Sequence, residues 1–474
     1  MSHARPLSPL PSAELIRRHD GNGPRYTSYP TAMQFTPAHD AAEHAAAAQR
    51  SAAAIGAPLS LYVHVPFCES PCFYCGCNRI ITRDHTLGDT YVERLIREAA
   101  LQAALLPGRP SVEQLHFGGG TPTFLSIAQL QRLLDGLDAH LQLARDASRE
   151  YSIEIDPRSI TPARLAELAR LGFNRASFGI QDFDAAVQDA VNRRQAYAEV
   201  AALIEAARAA GFESLSADLI YGLPKQTLAG FARTLDQVIA LRPDRISTYA
   251  YAHVPERFKA QRQIRIDELP DGETRLALLN LSIERLLAAG YQYIGMDHFA
   301  LPQDELARAL RDGSLHRNFQ GYATRAGLDL IGLGVSAISS IGDSYGQNAR
   351  SLADWNAAID AGRLAIDRGL LLTAEDRLRR DVIAALMCEG RLRFADIEAV
   401  HEIDFRRHFV AELARFDAMA ADGLVVIDHS GITVTPTGRY LLRAIAMPFD
   451  AYLSPAATAV AAPAVATARY SRLI

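Results

Sequence analysis

Four of the five cysteines in this chain, Cys68, Cys72, Cys75 and Cys77, lie within one short stretch. Structural zinc sites draw their ligands from two well-separated pairs, because four ligands must reach a tetrahedron from different directions. The Cys-x3-Cys-x2-Cys spacing also differs from the spacings of ferredoxin clusters. Three thiolates on one loop instead suit three corners of a 4Fe-4S cluster whose fourth iron stays open. A zinc site or a redox-active thiol site is the alternative.

Composition limits the classes of protein to consider. The 474 residues are 49% hydrophobic and 22% charged, which is typical of a globular protein of two or three domains. The net charge of -5 argues against nucleic acid as a partner. No apolar segment has the length of a signal peptide or a membrane span, so we expect a cytoplasmic protein that binds no membrane. Cys388 lies alone in an apolar segment, where we expect a small buried residue.

Between residues 59 and 253, short β-rich runs alternate with longer helical patterns, which predicts βα units on a parallel sheet. The predicted strands are 59–65, 112–117, 151–155, 175–180, 214–220 and 245–251. Ser126 and Gln129 predict a capping box at the start of one helix, while Thr161 and Pro162 predict the start of another that Gly172 ends. Six such units are expected to curl into a partial (β/α)6 barrel, an α/β fold.

Polar or glycine-rich residues follow the predicted strands, so we expect every candidate site at the carboxyl-terminal rim of the barrel. The run Gly118-Gly119-Gly120 follows the second strand, where the missing side chains let a ligand approach the backbone. Glu154 ends the third strand and offers a carboxylate to ribose hydroxyls. A solvated charge at the end of a strand is the alternative interpretation of Glu154.

We divide the chain into an N-terminal arm (1–55), the barrel with its extension (56–360) and a C-terminal, mainly helical domain with a tail (361–474). Helical patterns flank a hairpin pattern in the C-terminal part, which resembles a winged-helix module. Residues 371–450 contain 10 basic and 13 acidic side chains, which argues against the phosphate binding that such modules often perform.

The cysteine loop after a first strand resembles the hallmark of the radical S-adenosylmethionine (SAM) superfamily. The resemblance implies that Cys68, Cys72 and Cys75 bind a 4Fe-4S cluster, whose open iron binds the amino and carboxylate groups of SAM. It also implies that reduction of SAM gives a 5'-deoxyadenosyl radical, which abstracts a hydrogen atom that ordinary bases cannot remove.

Longer strings are similar, in order, to those of the oxygen-independent coproporphyrinogen III oxidase family: RYTSYPTA, YVHVPFCESPCFYCGCNRIITR, HFGGGTPT, VNRRQ, DLIYGLP, YIGMDHF, RNFQGYAT and the terminal YSRLI. This resemblance implies oxidative decarboxylation of the ring A and B propionates of coproporphyrinogen III to the vinyls of protoporphyrinogen IX. It further implies an electron donor and an electron acceptor, and we expect a monomer. The alternative is a related haem-binding chaperone, whose sequences lack a match to Cys77, to the RYTSYPTA arm and to NFQGY.

The resemblance also implies site residues and two bound SAM molecules. Positions that match contacts of the first SAM are Tyr62, Tyr74, Gly119, Glu154 and Ile338, and those of the second are Gly120, Thr121, Gln181, Arg193, Asp218 and Ala252. The implied catalytic residues are Cys77, Tyr62, Glu154, Phe319 and Gln320. We place Cys77 near the substrate or the cluster, because a fourth thiolate would close the iron that SAM needs. Arg25, Arg79 and Arg317 are candidate partners of the propionates by proximity to the motifs.

Overall fold

The computed structural model describes residues 11–19, 21–51, 58–147 and 149–453. They form two compact units, one from Gln34–Thr274 and Gly327–Leu371, the other from the described parts of Met1–Met33, Arg275–Ala326 and Leu372–Ile474. The predicted domain boundaries at 55/56 and 360/361 stay predictions. The alanine-rich stretch 456–468 and the terminal YSRLI string lie outside the described residues.

The larger unit is built on six parallel strands. They are β1 (Leu59–Val65), β2 (Ser111–Gly119), β3 (Glu150–Ile155), β4 (Arg175–Gln181), β5 (Ser214–Tyr221) and β6 (Arg245–Ala250). Each pairs in parallel with the next along the chain. Alternate side chains of these strands are fully buried, for example Leu61 and Val63 of β1. The partial (β/α)6 barrel predicted from the sequence is confirmed.

The sheet continues beyond β1 through strands that the sequence patterns did not resolve. Asp329–Leu333 pairs in parallel with β1, and Ile338–Ile341, Ser344–Asn348 and Ile366–Leu371 follow as antiparallel neighbours. Shorter strands are Phe67–Cys68, Ile80–Ile81 and Gln142–Leu143.

Helices follow the strands of the larger unit, and their caps agree with the sequence. They are Ala41–Ser51, Leu87–Ala103, Ile127–His140, Pro162–Arg170, Ala185–Ala190, Tyr197–Ala209, Leu228–Leu241 and Leu352–Asp360, with single turns at Pro122–Phe124, Pro157–Ser159, Lys259–Gln263 and Ile266–Glu268. The capping box is present, since Ser126 Oγ accepts from the Gln129 amide at 3.2 Å and Gln129 Oε1 accepts from the Ser126 amide at 2.9 Å. Gly172 has a φ of +102°, a conformation that glycine adopts readily after a helix.

The smaller unit is mainly helical. Its helices are Ala13–His19, Glu305–Asp312, Ala374–Ala384, the π-helical turn Ala385–Glu389, Phe394–His401, Phe405–His408, Val410–Ala414, Phe416–Ala421 and Leu442–Ala446, with single turns at Gly438–Leu441, Met447–Phe449 and Ala451–Leu453. Its strands are Gln292–Gly295, His298–Ala300, His316–Asn318, Gly321–Ala323, Arg391–Arg393, Val425–Ile427 and Gly431–Val434. Two further elements span a boundary between the units along the chain: the single turn Ala32–Gln34 and the helix Gly272–Ala288.

The C-terminal part has the predicted pattern of helices around a hairpin, because Val425–Ile427 and Gly431–Val434 pair antiparallel. One difference lies in residues 409–423, where the helical pattern FVAELARFDAMAADG predicts one helix and the chain forms two short ones, Val410–Ala414 and Phe416–Ala421. The rings of Phe405, Phe409 and Phe416 each contact Phe449. Packing around one ring therefore outweighs the preference for a continuous helix.

Cys388 is buried in the π-helical turn, as its apolar neighbours predict. Within the described ranges, no helix has both the length and the apolar character that crossing a bilayer requires.

Candidate active site

A cavity of about 170 Å³ opens beside the cysteine loop at the carboxyl-terminal rim of the barrel strands. Twelve of the predicted site residues line it: Cys68, Cys72, Tyr74, Cys75, Cys77, Gly119, Gly120, Thr121, Glu154, Gln181, Arg193 and Asp218. Residues of β1 to β5, or of the loops that follow them, thus meet at one place. The rim was predicted as the location of the site, and the structure brings these residues together there.

The cysteine sulfurs accept hydrogen bonds from polar neighbours. Cys72 Sγ accepts from Arg158 Nη2 at 3.2 Å and from Arg193 Nη1 at 3.3 Å. The hydroxyl of Thr121 donates to Cys68 Sγ at 3.4 Å. These donors favour sulfur in its thiolate form, which is the form that binds iron.

The thiol groups differ in their acidity. Burial raises the pKa of Cys68 to about 11. Hydrogen bonding with Cys77, together with the charges of Arg79 and Arg193, lowers the pKa of Cys75 to about 6. Cys75 is therefore more readily ionised near neutral pH than Cys68, which needs an added positive charge, such as a metal, to lose its proton.

Contacts from elsewhere in the larger unit hold the cysteine loop in place. Arg79 donates from Nη1 to the Cys75 carbonyl and from Nη2 to the Cys72 carbonyl, both at 3.2 Å. A Cβ atom at Gly76 would lie 3.1 Å from the ring of Phe258. Arg79 thus stabilises the backbone of this loop. From the sequence alone it was only a candidate partner of the propionates.

The donor set fits an iron-sulfur cluster better than a single metal ion. Cys68, Cys72 and Cys75 form no disulfide and line the same cavity. Among the described side chains, no three of His, Cys, Asp or Glu converge on one metal position. In a 4Fe-4S cluster each thiolate binds a different iron, so the sulfurs need not converge. This argues against the zinc alternative.

The backbone N–H groups of the glycine run are already engaged. The Gly119 amide donates to Glu154 Oε2 at 3.2 Å, the Gly120 amide to the Val65 carbonyl at 2.8 Å and the Thr121 amide to the Phe67 carbonyl at 2.9 Å. Because these N–H groups are engaged, the run offers acceptors to a ligand. A carbonyl acceptor suits an ammonium group.

Glu154 lies between the glycine run and His116. His116 Nε2 donates to Glu154 Oε1 at 3.2 Å. Burial alone would raise the pKa of Glu154, but the hydrogen bond and charge of His116 outweigh burial and lower the pKa. Glu154 is therefore an ionised acceptor that is already oriented toward the cavity.

Asp218 and Gln181 supply further acceptors. The Ser177 hydroxyl donates to Asp218 Oδ2 at 2.6 Å, and burial raises the pKa of Asp218 to about 6. Gln181 has a φ of +68°, and its buried Oε1 has no hydrogen-bond partner within the described part of the chain. A strained residue with an unsatisfied acceptor at a cavity wall is suited to a ligand that donates a hydrogen bond.

Three predicted site residues of the larger unit do not line the cavity. The ring of Tyr62 stacks on His116, with centroids 5.8 Å apart. Ala252 is exposed, and its carbonyl accepts from Gln261 Nε2 at 3.2 Å. Ile338 is half-buried at the start of the strand Ile338–Ile341, with its backbone against Gly332. Their assignment to SAM stays a prediction.

Phe319 and Gln320 belong to the smaller unit, in the turn between Asn318 and Gly321. Phe319 is half-buried and Gln320 is exposed. In the same unit Arg25 pairs with Asp297, and Arg317 lies over the ring of Tyr322 at 4.7 Å from its centroid. Their assignment to the substrate also stays a prediction.

Sequence reasoning did not select His116, Asp156 or Arg158. Asp156 accepts from Arg158 Nη2 at 2.7 Å and from Arg193 Nη1 at 3.0 Å. Burial alone would raise the pKa of Asp156, but the two arginines outweigh it and lower the pKa to about 2. The string EIDPR (154–158), which begins in β3, was the available signal for Asp156 and Arg158. No local pattern connects either residue to Cys72.

Comparison with known proteins agrees with this site. Residues 62–238 match the family described as the radical SAM superfamily, and residues 372–441 match the HemN C-terminal domain. The chain is 52% identical, over 98% of both chains, to the oxygen-independent coproporphyrinogen III oxidase of Pseudomonas aeruginosa. It is 49% identical to that of Escherichia coli, over 93% of this chain and 95% of the relative.

A solved structure agrees as well. The fold matches the structure described as coproporphyrinogen III oxidase (HemN) from Escherichia coli, a radical SAM enzyme. The TM-score is 0.87 and the identity 48%, and the match covers 90% of this chain and 97% of the other. The chain therefore belongs to the oxygen-independent coproporphyrinogen III oxidase family of the radical SAM superfamily.

Proposed function

We propose that this protein catalyses the oxygen-independent oxidative decarboxylation of coproporphyrinogen III, converting the ring A and B propionates to the vinyls of protoporphyrinogen IX in haem biosynthesis. The observation that carries the proposal is the meeting of Cys68, Cys72 and Cys75 with the acceptors of the barrel rim in one cavity. The relatives reported above are named as oxidases of this substrate. The haem-chaperone alternative receives no support from these names.

When bound, the 4Fe-4S cluster and SAM supply a 5'-deoxyadenosyl radical that takes a hydrogen atom from the propionate β-carbon. The protein residues hold and orient these groups. Cys68, Cys72 and Cys75 are the cluster ligands of this proposal, and the carbonyls of Gly119 and Gly120 are acceptors for the ammonium of SAM. Glu154, oriented by His116, is the acceptor for ribose hydroxyls.

We assign Gln181, Arg193 and Asp218 to a second SAM molecule. The support is chemical: Gln181 has a buried acceptor without a partner in the described structure, and Asp218 is a partly satisfied carboxylate. Arg193 is a fixed cation at the cavity wall. Cys77 also lines the cavity. We assign its thiol a role near the reacting groups and not that of a fourth ligand.

Each decarboxylation releases CO2 and one electron from the substrate, so the reaction needs an electron acceptor as well as a donor that reduces the cluster. We propose that the enzyme is a cytoplasmic monomer that exchanges electrons with such partners. Light scattering of the purified protein and fractionation of the source cells test these two points.

Anaerobic turnover tests the function. The reconstituted protein is incubated with coproporphyrinogen III, SAM and a reductant, and protoporphyrinogen IX and 5'-deoxyadenosine are measured together. Both products should form, and both should be lost in Cys68→Ser, Cys72→Ser and Cys75→Ser. Cys388→Ala is the matched control, because Cys388 lies outside the cysteine loop, in the other unit.

Two results would contradict the proposal. Formation of 5'-deoxyadenosine without protoporphyrinogen IX would support the radical chemistry but would contradict coproporphyrinogen III as the substrate. Neither product from a protein with a full cluster, together with stoichiometric haem binding, would favour the chaperone.

A further inference from the structure

We propose that Arg158 sets the reduction potential of the cluster by donating a charged hydrogen bond to the sulfur of Cys72. The inference rests on the proposed function only in that Cys72 binds the cluster. It makes Arg158 a positioning and tuning residue, and it concerns the step in which an external donor reduces the enzyme by one electron.

Geometry fixes the guanidinium of Arg158 against Cys72. Its Nη2 lies 3.2 Å from Cys72 Sγ and 2.7 Å from Asp156 Oδ2, while its Nε donates to Asp156 Oδ1 at 3.0 Å. Its Nη1 donates to the carbonyl of Asn192 at 3.2 Å. Every nitrogen of the guanidinium is therefore engaged, and the side chain cannot turn away from the sulfur without breaking several hydrogen bonds.

The charges around Cys72 do not cancel. Arg158 and Arg193 both contact Cys72 Sγ, and Asp156 contacts both arginines. Two cations and one carboxylate leave one positive charge beside the thiolate. The side chains of Arg158, Asp156 and Arg193 are 20%, 13% and 6% exposed, so water screens this charge only in part.

A positive charge beside a cluster ligand favours the reduced state of the cluster, which carries one more negative charge. One-electron reduction adds a negative charge to the cluster, and hydrogen bonds to its sulfurs stabilise that charge and raise the reduction potential. Arg158 should therefore make the cluster easier to reduce. Arg193 contributes in the same direction, but it also lines the wall assigned to the second SAM. Arg158 is the cleaner residue to test.

Arg158 also lines a second cavity of about 260 Å³. Cys68 and Arg83 line this cavity as well. Four residues line both cavities, Cys68, Ser70, Thr121 and Asp156, whereas Arg158 lines only the second. Arg158 is not among the residues assigned to SAM, so its substitution replaces none of them.

Potentiometry of the reconstituted protein tests the proposal, with reduction followed by electron paramagnetic resonance in the absence of SAM and coproporphyrinogen III. Arg158→Gln should shift the midpoint potential to a more negative value by about 59 mV, a tenfold lower ratio of reduced to oxidised cluster at a fixed potential. Arg158→Lys, which keeps the charge but loses the planar fork, should give an intermediate value. Arg164→Gln is the matched control, because Arg164 is a half-buried arginine of the same unit that donates to the Leu125 carbonyl.

An unchanged or more positive midpoint in Arg158→Gln, at the iron content of the wild type, would overturn the proposal. If Arg158→Gln does not retain its iron, Asp156→Asn decides, because removal of the carboxylate should shift the midpoint to a more positive value. A negative shift or no shift in Asp156→Asn would then count against it. Since no porphyrinogen is present, an enzyme that fails to decarboxylate this substrate leaves the result unaffected.

Discussion

The imidazole of His116 holds the carboxylate of Glu154 through a hydrogen bond of 3.2 Å from Nε2 to Oε1. On its other nitrogen His116 contacts the Ser152 hydroxyl, and its ring stacks on Tyr62. A carboxylate assigned to SAM is thus oriented by a neighbouring strand before the ligand arrives. Such preorganisation lowers the cost of ordering the site on binding.

Replacement of His116 should weaken SAM binding more than it slows the chemical step. His116→Phe keeps the ring against Tyr62 and removes the donor to Glu154, so we expect the KM for SAM to rise about tenfold, in keeping with the loss of one hydrogen bond to a charged group. Initial rates at varied SAM concentration measure the effect. His116→Gln, whose amide can donate to Glu154, should recover part of the affinity. A KM for SAM that does not change in His116→Phe would reject this role.

A side chain at Gly120 should displace the cysteine loop. A Cβ atom there would lie 2.8 Å from backbone atoms of Pro66, two residues before Cys68. Backbone cannot yield as a flexible side chain can, and we expect Gly120→Ala to lose most of its bound iron after reconstitution. Iron and sulfide analysis measures the loss. Gly272→Ala is the control, because open space surrounds Gly272. Full iron content in Gly120→Ala would show that the close contact between residue 120 and the Pro66 backbone is not critical for cluster binding.

The residues around this site show what the sequence could and could not predict. β1 was predicted at its observed bounds because apolar residues alternate along it, which is typical of a strand, although the structure buries both of its faces. β2 runs on to Gly119, beyond its predicted end, because Gly118 and Gly119 pair with His64 and Val65. Glycine has a low strand propensity, so the pairing with β1, and not the local sequence, determines that end.

Contacts between distant residues account for the rest. Arg158 and Cys72 are separated by 86 residues, and only the fold brings the guanidinium to the sulfur. Cysteine spacing could predict the cluster ligands because all three cysteines lie on one loop. The residues that orient or charge the ligands come from other strands, so no pattern along the chain revealed them. His116 begins the string HFGGGTPT, but its partner Glu154 lies on the neighbouring strand, so the string alone did not connect them.

The number of SAM molecules bound should depend on Gln181. Because its buried Oε1 has no partner among the described residues, a ligand is expected to donate to it. We expect the wild type to bind two SAM molecules and Gln181→Leu to bind one, as measured by equilibrium dialysis with labelled SAM under anaerobic conditions. Gln131→Leu, on an exposed helical position, should bind two. A wild type that binds one SAM would reject the second site.

Glu98 should make the stability of the larger unit depend on pH. It is fully buried, accepts from the Gly334 amide at 2.7 Å and from Asn348 Nδ2 at 2.6 Å, and burial raises its pKa from 4.5 to about 7. The folded protein therefore holds a proton that the unfolded chain releases between these pH values. Its contribution to stability falls as the pH rises from about 4.5 to 7, by about 1.4 kcal/mol per pH unit at most.

Glu98→Gln isolates this contribution. The glutamine carries no charge, so the stability of the variant relative to the wild type should increase by about 3 kcal/mol between pH 4.5 and 7. Thermal or denaturant unfolding at several pH values measures the difference. A difference that is constant with pH would show that Glu98 does not titrate in this range.

Transfer of a deuterium label tests the central claim most directly. Coproporphyrinogen III deuterated at the propionate β-carbons is incubated anaerobically with the reconstituted enzyme, SAM and a reductant, and the 5'-deoxyadenosine is analysed by mass spectrometry. The account predicts protoporphyrinogen IX together with deuterium in the methyl group of 5'-deoxyadenosine. Formation of protoporphyrinogen IX with deoxyadenosine that contains no deuterium would contradict it.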